Sequence, residues 1–260
     1  MGLLFYAWDH FGDKLKNYDL GIPETASGWP HFLQELKWET DFLLKMQYPD
    51  GSGRVSHKLT RLNFEGFIMP EDDHGKRYFS DWGSAAIADF VAMMAMAARY
   101  FEPYDVAYAK KCLEAARTSY RFLTEHPSDK GFEQGDFRTG GYQTGDDDDR
   151  LWAAAEMWQT TGEKMFLTDV ENRIMAIDAM GEVNWDWGSV GNLGLFSYAL
   201  SEREGRNDAL LARVKQNIIA VADSIVETGK ADVYGRPLGG RYYWGCNGTV
   251  ARQALNLQVA

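Results

Sequence analysis

The chain has no excess of positive charge, and this shortage excludes a whole class of partner. Lys and Arg number 27 against 38 Asp and Glu, for a net charge of −11 at pH 7. Nucleic-acid phosphates are held by clustered Lys and Arg, so no nucleic-acid partner is expected. Cysteine is nearly absent. Cys112 and Cys246 lie far apart, form no metal-type spacing, and Cys112 falls in a helical apolar pattern where a buried free thiol is expected. Seven prolines and no low-complexity stretch argue against disorder. No apolar run approaches the roughly 18–20 residues of a membrane span, so no membrane partner is expected either. The first 14 residues carry no basic leader and no cleavage-like segment. They read as a helix already in progress rather than as a signal peptide.

What is present is aromatic and helical. Nine Trp, 13 Tyr and 14 Phe stand in a chain of 260 residues, long enough to bury a substantial core. Helical periodicity predicts helices over 2–16, 30–46, 83–100, 105–125, 149–161, 164–180, 188–203, 208–228 and 246–259. In the second, Phe32, Leu33, Leu36, Phe42, Leu43 and Met46 form one apolar stripe, and Pro30 suits its start. Strand-like alternation is confined to short pieces such as Gly53–His57.

Two kinds of connection alternate. Phe101–Tyr104, Thr161–Glu163 and Glu204–Asn207 are tight turns, whereas 47–82, 126–148, 181–187 and 229–245 are rich in Gly, aromatics and acids. Antiparallel helices send such alternating connections to opposite ends. The pattern predicts an all-α toroid, an (α/α) barrel with a functional loop face. Nine helices do not pair off, so an incomplete arc is expected, with apolar faces of the first and last helices left open.

Aromatic rings stack on sugar faces and carboxylates bond hydroxyls, so the mixture in the long loops suits a carbohydrate cleft. Most of these rings also serve to pack loops onto helices. His57 and His74 have no second His or Cys at metal-ligand spacing, and packing is the ordinary role for each. Asn247-Gly248-Thr249 fits a glycosylation pattern, but Asn247 is expected to cap the last helix.

Asp146 to Asp149 are four consecutive aspartates. A helix start accounts for one or two of them, through bonds to backbone N–H groups and the helix dipole. Magnesium-diphosphate binding, as in isoprenoid synthases, lacks the basic cluster it needs. A catalytic pair is disfavoured, because glycosidase carboxylates flank a bond at ~5–9.5 Å. A hard cation taking about six to eight oxygens is the best account, and Thr144-Gly145 adds a hydroxyl and carbonyls beside the acids.

Five segments then carry a resemblance: FLLKMQYPDGSGRVSHK (42–58), GFIMPEDDHGKRYFSDW (66–82), ADFVAMMAMAARYFEPYD (88–105), DDRLWAAAEMW (148–158) and YYWGCNGTVARQ (242–253). Together, in this order, they resemble glycoside hydrolase family 9, the bacterial cellulases above all. The resemblance implies an (α/α)6 barrel, here an incomplete arc of about nine helices, with residues 1–260 forming part of one catalytic domain. It implies inverting cleavage of β-1,4-glucosidic bonds, a β-glucan polysaccharide or oligosaccharide as partner, and a secreted parent protein. It also implies a structural calcium ion (Ca2+) held by Thr144, Gly145, Asp148, Asp149 and Asp186, with Asp146 and Asp147 left to shape and solvate the loop. Loop position and resemblance single out Tyr142, Tyr243 and Trp244 as sugar contacts, with His57 beside them.

The departures from the family pattern are specific. No Asp-Ala-Gly-Asp motif, which would carry the general base, and no late Asn-Glu-Ile-Ala-like segment, which would carry the acid, occur in the sequence. The expectation is a chain resembling the middle of the family domain, with part of the cleft and no activity alone. The alternative is a non-catalytic carbohydrate-binding or scaffold protein on the same fold.

Overall fold

A computed structural model describes residues 1–23, 28–177, 181–240 and 242–260. Contacts divide the chain into two compact units, Met1–Asp146 and Asp147–Ala260.

The first unit holds α1 (Gly2–Leu15), α2 (His31–Leu43), α3 (Ser84–Phe101) and α4 (Val106–Glu125), with a two-stranded ribbon of β1 (Leu59–Thr60) and β2 (Tyr78–Phe79). The helices were all foreseen within a few residues, because each has an apolar face to bury. In α3 apolar residues surround the whole circumference. Ile87, Ala88, Phe90, Val91, Ala92, Met94, Ala95 and Ala97 are all within 1 % of complete burial. By length and composition α3 is also apolar enough to cross a membrane, contrary to the expectation that no segment would be. Its residues are apolar on every side because α1, α2 and α4 all pack against it. The turn into α4 is closed by Asp105, whose carboxylate caps the helix by accepting from the Tyr108 N–H.

The long connection after α2 is stitched to α4. Gln47 Nε2 donates to Ala115 O and Ser119 Oγ, and Ser119 Oγ donates to Gly53 O. Gly53 has φ +89°, and a Cβ there would lie 2.5 Å from Thr118 O, so only glycine fits. The alternation over Gly53–His57 yields isolated bridges, Gln47 to Val55 and Ser56 to Trp82, rather than a strand. The regular pairing begins two residues later, Leu59 opposite Phe79 and Thr60 opposite Tyr78.

The second unit contains α5 (Asp147–Thr161), α6 (Lys164–Ala176), α7 (Gly191–Leu200), α8 (Asp208–Ala231) and α9 (Cys246–Val259). The predicted continuation of α6 over 178–180 lies outside the described residues. Central α5 is buried continuously from Asp149 to Trp158 and packs against α6 and α7. Gly194 of α7 permits that approach, since a Cβ there would lie 3.0 Å from the Trp152 backbone.

Asn207 caps α8 by accepting from the Leu210 N–H. The last helix is capped differently from expectation. Gly245 takes φ +82°, a left-handed conformation suited to glycine, so α9 begins at Cys246 and Asn247 lies inside its first turn. Leu3 and Leu4 of α1 and Leu257 of α9 are exposed.

Candidate functional site

In the first unit the predicted residues His57 and Tyr142 are brought together by one loop, 126–143. Its entry is locked onto the start of α3: Lys130 N–H donates to Ser84 Oγ, Ser84 N–H donates to Lys130 O, and the Lys130 ammonium bonds Asp81 at 2.8 Å. Its exit is gripped by two successive residues of the chain leading into β1. His57 Nε2 lies 2.9 Å from Gly141 O, and its ring stacks on Phe132 at 4.3 Å between centroids. The Lys58 ammonium donates to Gly140 O at 2.7 Å, Thr139 Oγ1 at 3.2 Å and Gln134 Oε1 at 3.4 Å.

Burial is the main influence on the ionisation of both side chains. It lowers the pKa of His57 below its ordinary value and favours the neutral ring, and it lowers that of Lys58 as well. Tyr142 follows directly, with φ +53°, the only non-glycine residue of positive φ among the described residues. Its ring remains well exposed. A half-buried polar anchor thus ends in an exposed aromatic face, the arrangement a stacking platform needs.

In the second unit the aspartate run opens α5, two residues earlier than its periodicity indicated. Asp147, Asp148 and Asp149 occupy the first turn, where they complement the helix dipole. Asp148 Oδ2 accepts from Val190 N–H at 2.6 Å, and so reaches the loop that carries Asp186. Asp186 is exposed, and its Oδ1 accepts from Gly188 N–H at 2.9 Å. Asp149 is buried. Asp146, the last residue of the first unit, is buried as well rather than solvated, whereas Asp147 is exposed as anticipated. A buried carboxylate needs partners, and Asp146 interacts with other groups of the protein. Thr144 and Gly145 also belong to the first unit.

Around the same loop, a cavity of about 500 Å³ is lined by Asp148, Arg173, Glu182, Ser189 and Asn192 among others. Among the described residues, no three His, Cys, Asp or Glu side chains converge as a metal-binding group. Asp148 and Asp186 offer carboxylate oxygens, the kind a hard cation takes, while Arg173 also lines the cavity.

Tyr243 and Trp244 lie just before α9. The Tyr243 hydroxyl is 2.7 Å from Thr249 Oγ1, which leaves the ring tethered but partly exposed, while Trp244 is 97 % exposed. The amide network that supports this region was not foreseen from the sequence. Asn256 Oδ1 accepts from Trp185 Nε1 and Asn192 Nδ2, and its own Nδ2 donates to Glu182 O. The only available signal was an amide placed where the helical period calls for an apolar residue.

The family model for glycosyl hydrolase family 9 matches residues 1–260. The chain belongs to this family. It is 55% identical to Endoglucanase D of Acetivibrio thermocellus, an alignment covering 100% of the chain and 42% of that protein. It is 30% identical to a Cellodextrinase of Butyrivibrio fibrisolvens over 94% of the chain and 47% of the relative. The chain therefore spans less than half the length of these family 9 relatives. A metagenome-derived glycoside hydrolase family 9 endoglucanase superposes on all of the chain with a TM-score of 0.91 at 32% identity, using 47% of its own length. AaCel9A, solved in complex with cellobiose-like isofagomine, superposes on 99% of the chain with a TM-score of 0.89 at 27% identity. The fold is accordingly all-α, of the (α/α)6-barrel class.

Proposed function

We propose that this chain is part of an endo-1,4-β-glucanase whose parent domain hydrolyses β-glucans with inversion, and that both units belong to that one domain. The observation that carries the reading is the family match across residues 1–260. Tyr142, Tyr243 and Trp244 supply aromatic faces for glucose rings, and His57 braces the loop that presents Tyr142. In the parent reaction a carboxylate activates water while a carboxylic acid protonates the leaving oxygen. Neither motif expected to carry these groups occurs in the sequence. The chain alone therefore retains glucan binding without turnover, and the parent protein is secreted.

The test is a titration with cello-oligosaccharides alongside an assay of reducing-sugar release from soluble cellulose. Saturable binding with no release is expected. Clear turnover would overturn the claim that the acid–base pair is missing, and absence of binding would remove the glucan reading. Binding without turnover also describes a scaffold protein on the same fold, and activity regained when the chain is expressed within a longer parent sequence distinguishes the two.

We further propose a calcium ion at the second unit's acids. Asp148, Asp149 and Asp186 supply carboxylate oxygens there. When bound, the ion neutralises the repulsion of neighbouring carboxylates and ties the start of α5 to the loop before α7. The Asp148 bond to Val190 supports this, because it already brings the two segments together.

A further inference from the structure

Lys58 makes three hydrogen bonds to the loop that carries Tyr142. Its backbone is fixed first: Lys58 N–H donates to Ser80 Oγ and Ser80 N–H donates to Lys58 O, which extends the pairing of β1 and β2 by one step. From that base the side chain crosses to a loop 76 to 82 positions away in sequence. An ammonium has three N–H donors, and three neutral oxygens receive them, at Gly140, Thr139 and Gln134. The charge also lies 4.9 Å from the centre of the Phe132 ring and 5.1 Å from that of Phe137. No carboxylate is among these contacts, so the lysine is not there to neutralise an acid.

Its strongest contact is the Gly140 carbonyl, and Gly140 is where the Tyr142 ring rests. A Cβ on Gly140 would lie 2.5 Å from Tyr142 Cζ, 2.6 Å from Cε2 and 2.8 Å from the hydroxyl. The hydroxyl end of the ring therefore fills the space that a side chain on Gly140 would need. Gly141, one residue on, shows nothing nearer than 3.9 Å to such a Cβ. His57 holds the Gly141 carbonyl, so consecutive side chains grip consecutive peptide groups immediately before a residue of positive φ. A left-handed conformation is costly for a tyrosine, and surrounding contacts must impose it.

We propose that Lys58 is a positioning residue: by holding the Gly140 carbonyl it sets the seat on which the Tyr142 ring lies, and so the orientation of the face offered to a glucose ring. The last clause rests on the glucan reading above. The first does not.

The two parts are tested separately on the full chain. Tyrosine-ring NMR spectra of 13C-labelled protein are recorded for wild type, Lys58→Met, Gly140→Ala and Gly141→Ala, with the Tyr142 signal assigned from Tyr142→Phe and the remote Tyr120 as internal control. Lys58→Met and Gly140→Ala are expected to shift the Tyr142 signal and leave Tyr120 in place, while Gly141→Ala shifts neither. A Tyr142 signal unmoved in Lys58→Met overturns the proposal, as does an equal shift at Tyr120, which marks a general loss of structure. Gly140→Ala probes the same seat should Lys58→Met fail to fold, and an unmoved ring there overturns it equally. Cellohexaose titration supplies the second part. Lys58→Met is expected to weaken binding about tenfold, towards the level of Tyr142→Ala. A wild type that binds no cellohexaose overturns the glucan reading while the ring-positioning result stands.

Discussion

A single imidazole, His57, carries a pH signature. Burial is the largest influence on His57 and pushes its pKa below the ordinary 6.5; the neighbouring Lys58 charge acts in the same direction, and the backbone groups of Gly141 and Tyr142 oppose it. The folded chain therefore takes up this proton at lower pH than the unfolded chain does. Between the folded value and about 6.5 the unfolded state holds more protons, so stability rises with pH across that window. Stability is lost as pH falls below about 6.5, and the loss levels off once the folded ring is protonated too. In His57→Gln the fall in denaturation midpoint between about pH 7.5 and 5 is expected to be smaller than in wild type. An identical fall in both proteins would show that His57 contributes nothing. His57 and Tyr142 were singled out from the sequence by loop position and family resemblance. Lys58 was not, since a lysine in a polar loop has no pattern until folding brings its three acceptors from 76 to 82 positions away.

Helices were the most readable elements, because a 3.6-residue apolar period is repeated over several turns and each repeat confirms the last. Ends set by a single backbone conformation were harder to read. The start of α9 rests on the left-handed Gly245, whereas the sequence pointed to Asn247 as the cap. Close approaches between helices were invisible for a related reason: a glycine within an apolar helix looks like a weakness until its neighbour is known. At Gly194 an added Cβ would meet Trp152 N and Cα at 3.0 Å and Leu151 Cγ at 3.1 Å. Backbone atoms cannot turn aside as a flexible side chain can, so α5 and α7 must separate to admit a methyl group. Gly194→Ala is expected to destabilise the chain by about 1–3 kcal/mol, the ordinary cost of overpacking a filled core. Gly66→Ala is the control, with nothing within 4 Å and no positive φ, and should be neutral or stabilising by about 0.4–1 kcal/mol. Both are measured by urea denaturation. Equal midpoints for the two variants would mean that α5 and α7 have room to spare.

At the scale of the whole chain, calcium is the proposed answer to the repulsion among four consecutive aspartates. The chain already carries a net charge of −11, and the run concentrates four negative charges at one point in the sequence. The dipole of α5 offsets part of this repulsion, but such effects amount to about 0.3–1 kcal/mol per charge at an exposed helix start. A bound divalent ion contributes more. At a free concentration 100 times its Kd, a ligand that binds only the folded state stabilises it by about 2.7 kcal/mol. At roughly 2–4 °C per kcal/mol for a protein of this size, EGTA should lower Tm by about 5–10 °C, with recovery when calcium is restored in excess. Asp186→Asn separates this from any general effect of chelator. Asp186 is exposed and its contact with Gly188 N–H is local, so an amide oxygen can keep that bond while the charge is lost. The variant should melt like wild type in EGTA and gain little from calcium. Two results would count against the ion: a wild-type Tm indifferent to EGTA, or an Asp186→Asn chain that responds to calcium as fully as wild type. In either case the α5 dipole and the Asp148 bond to Val190 would have to hold the aspartate run together without a cation.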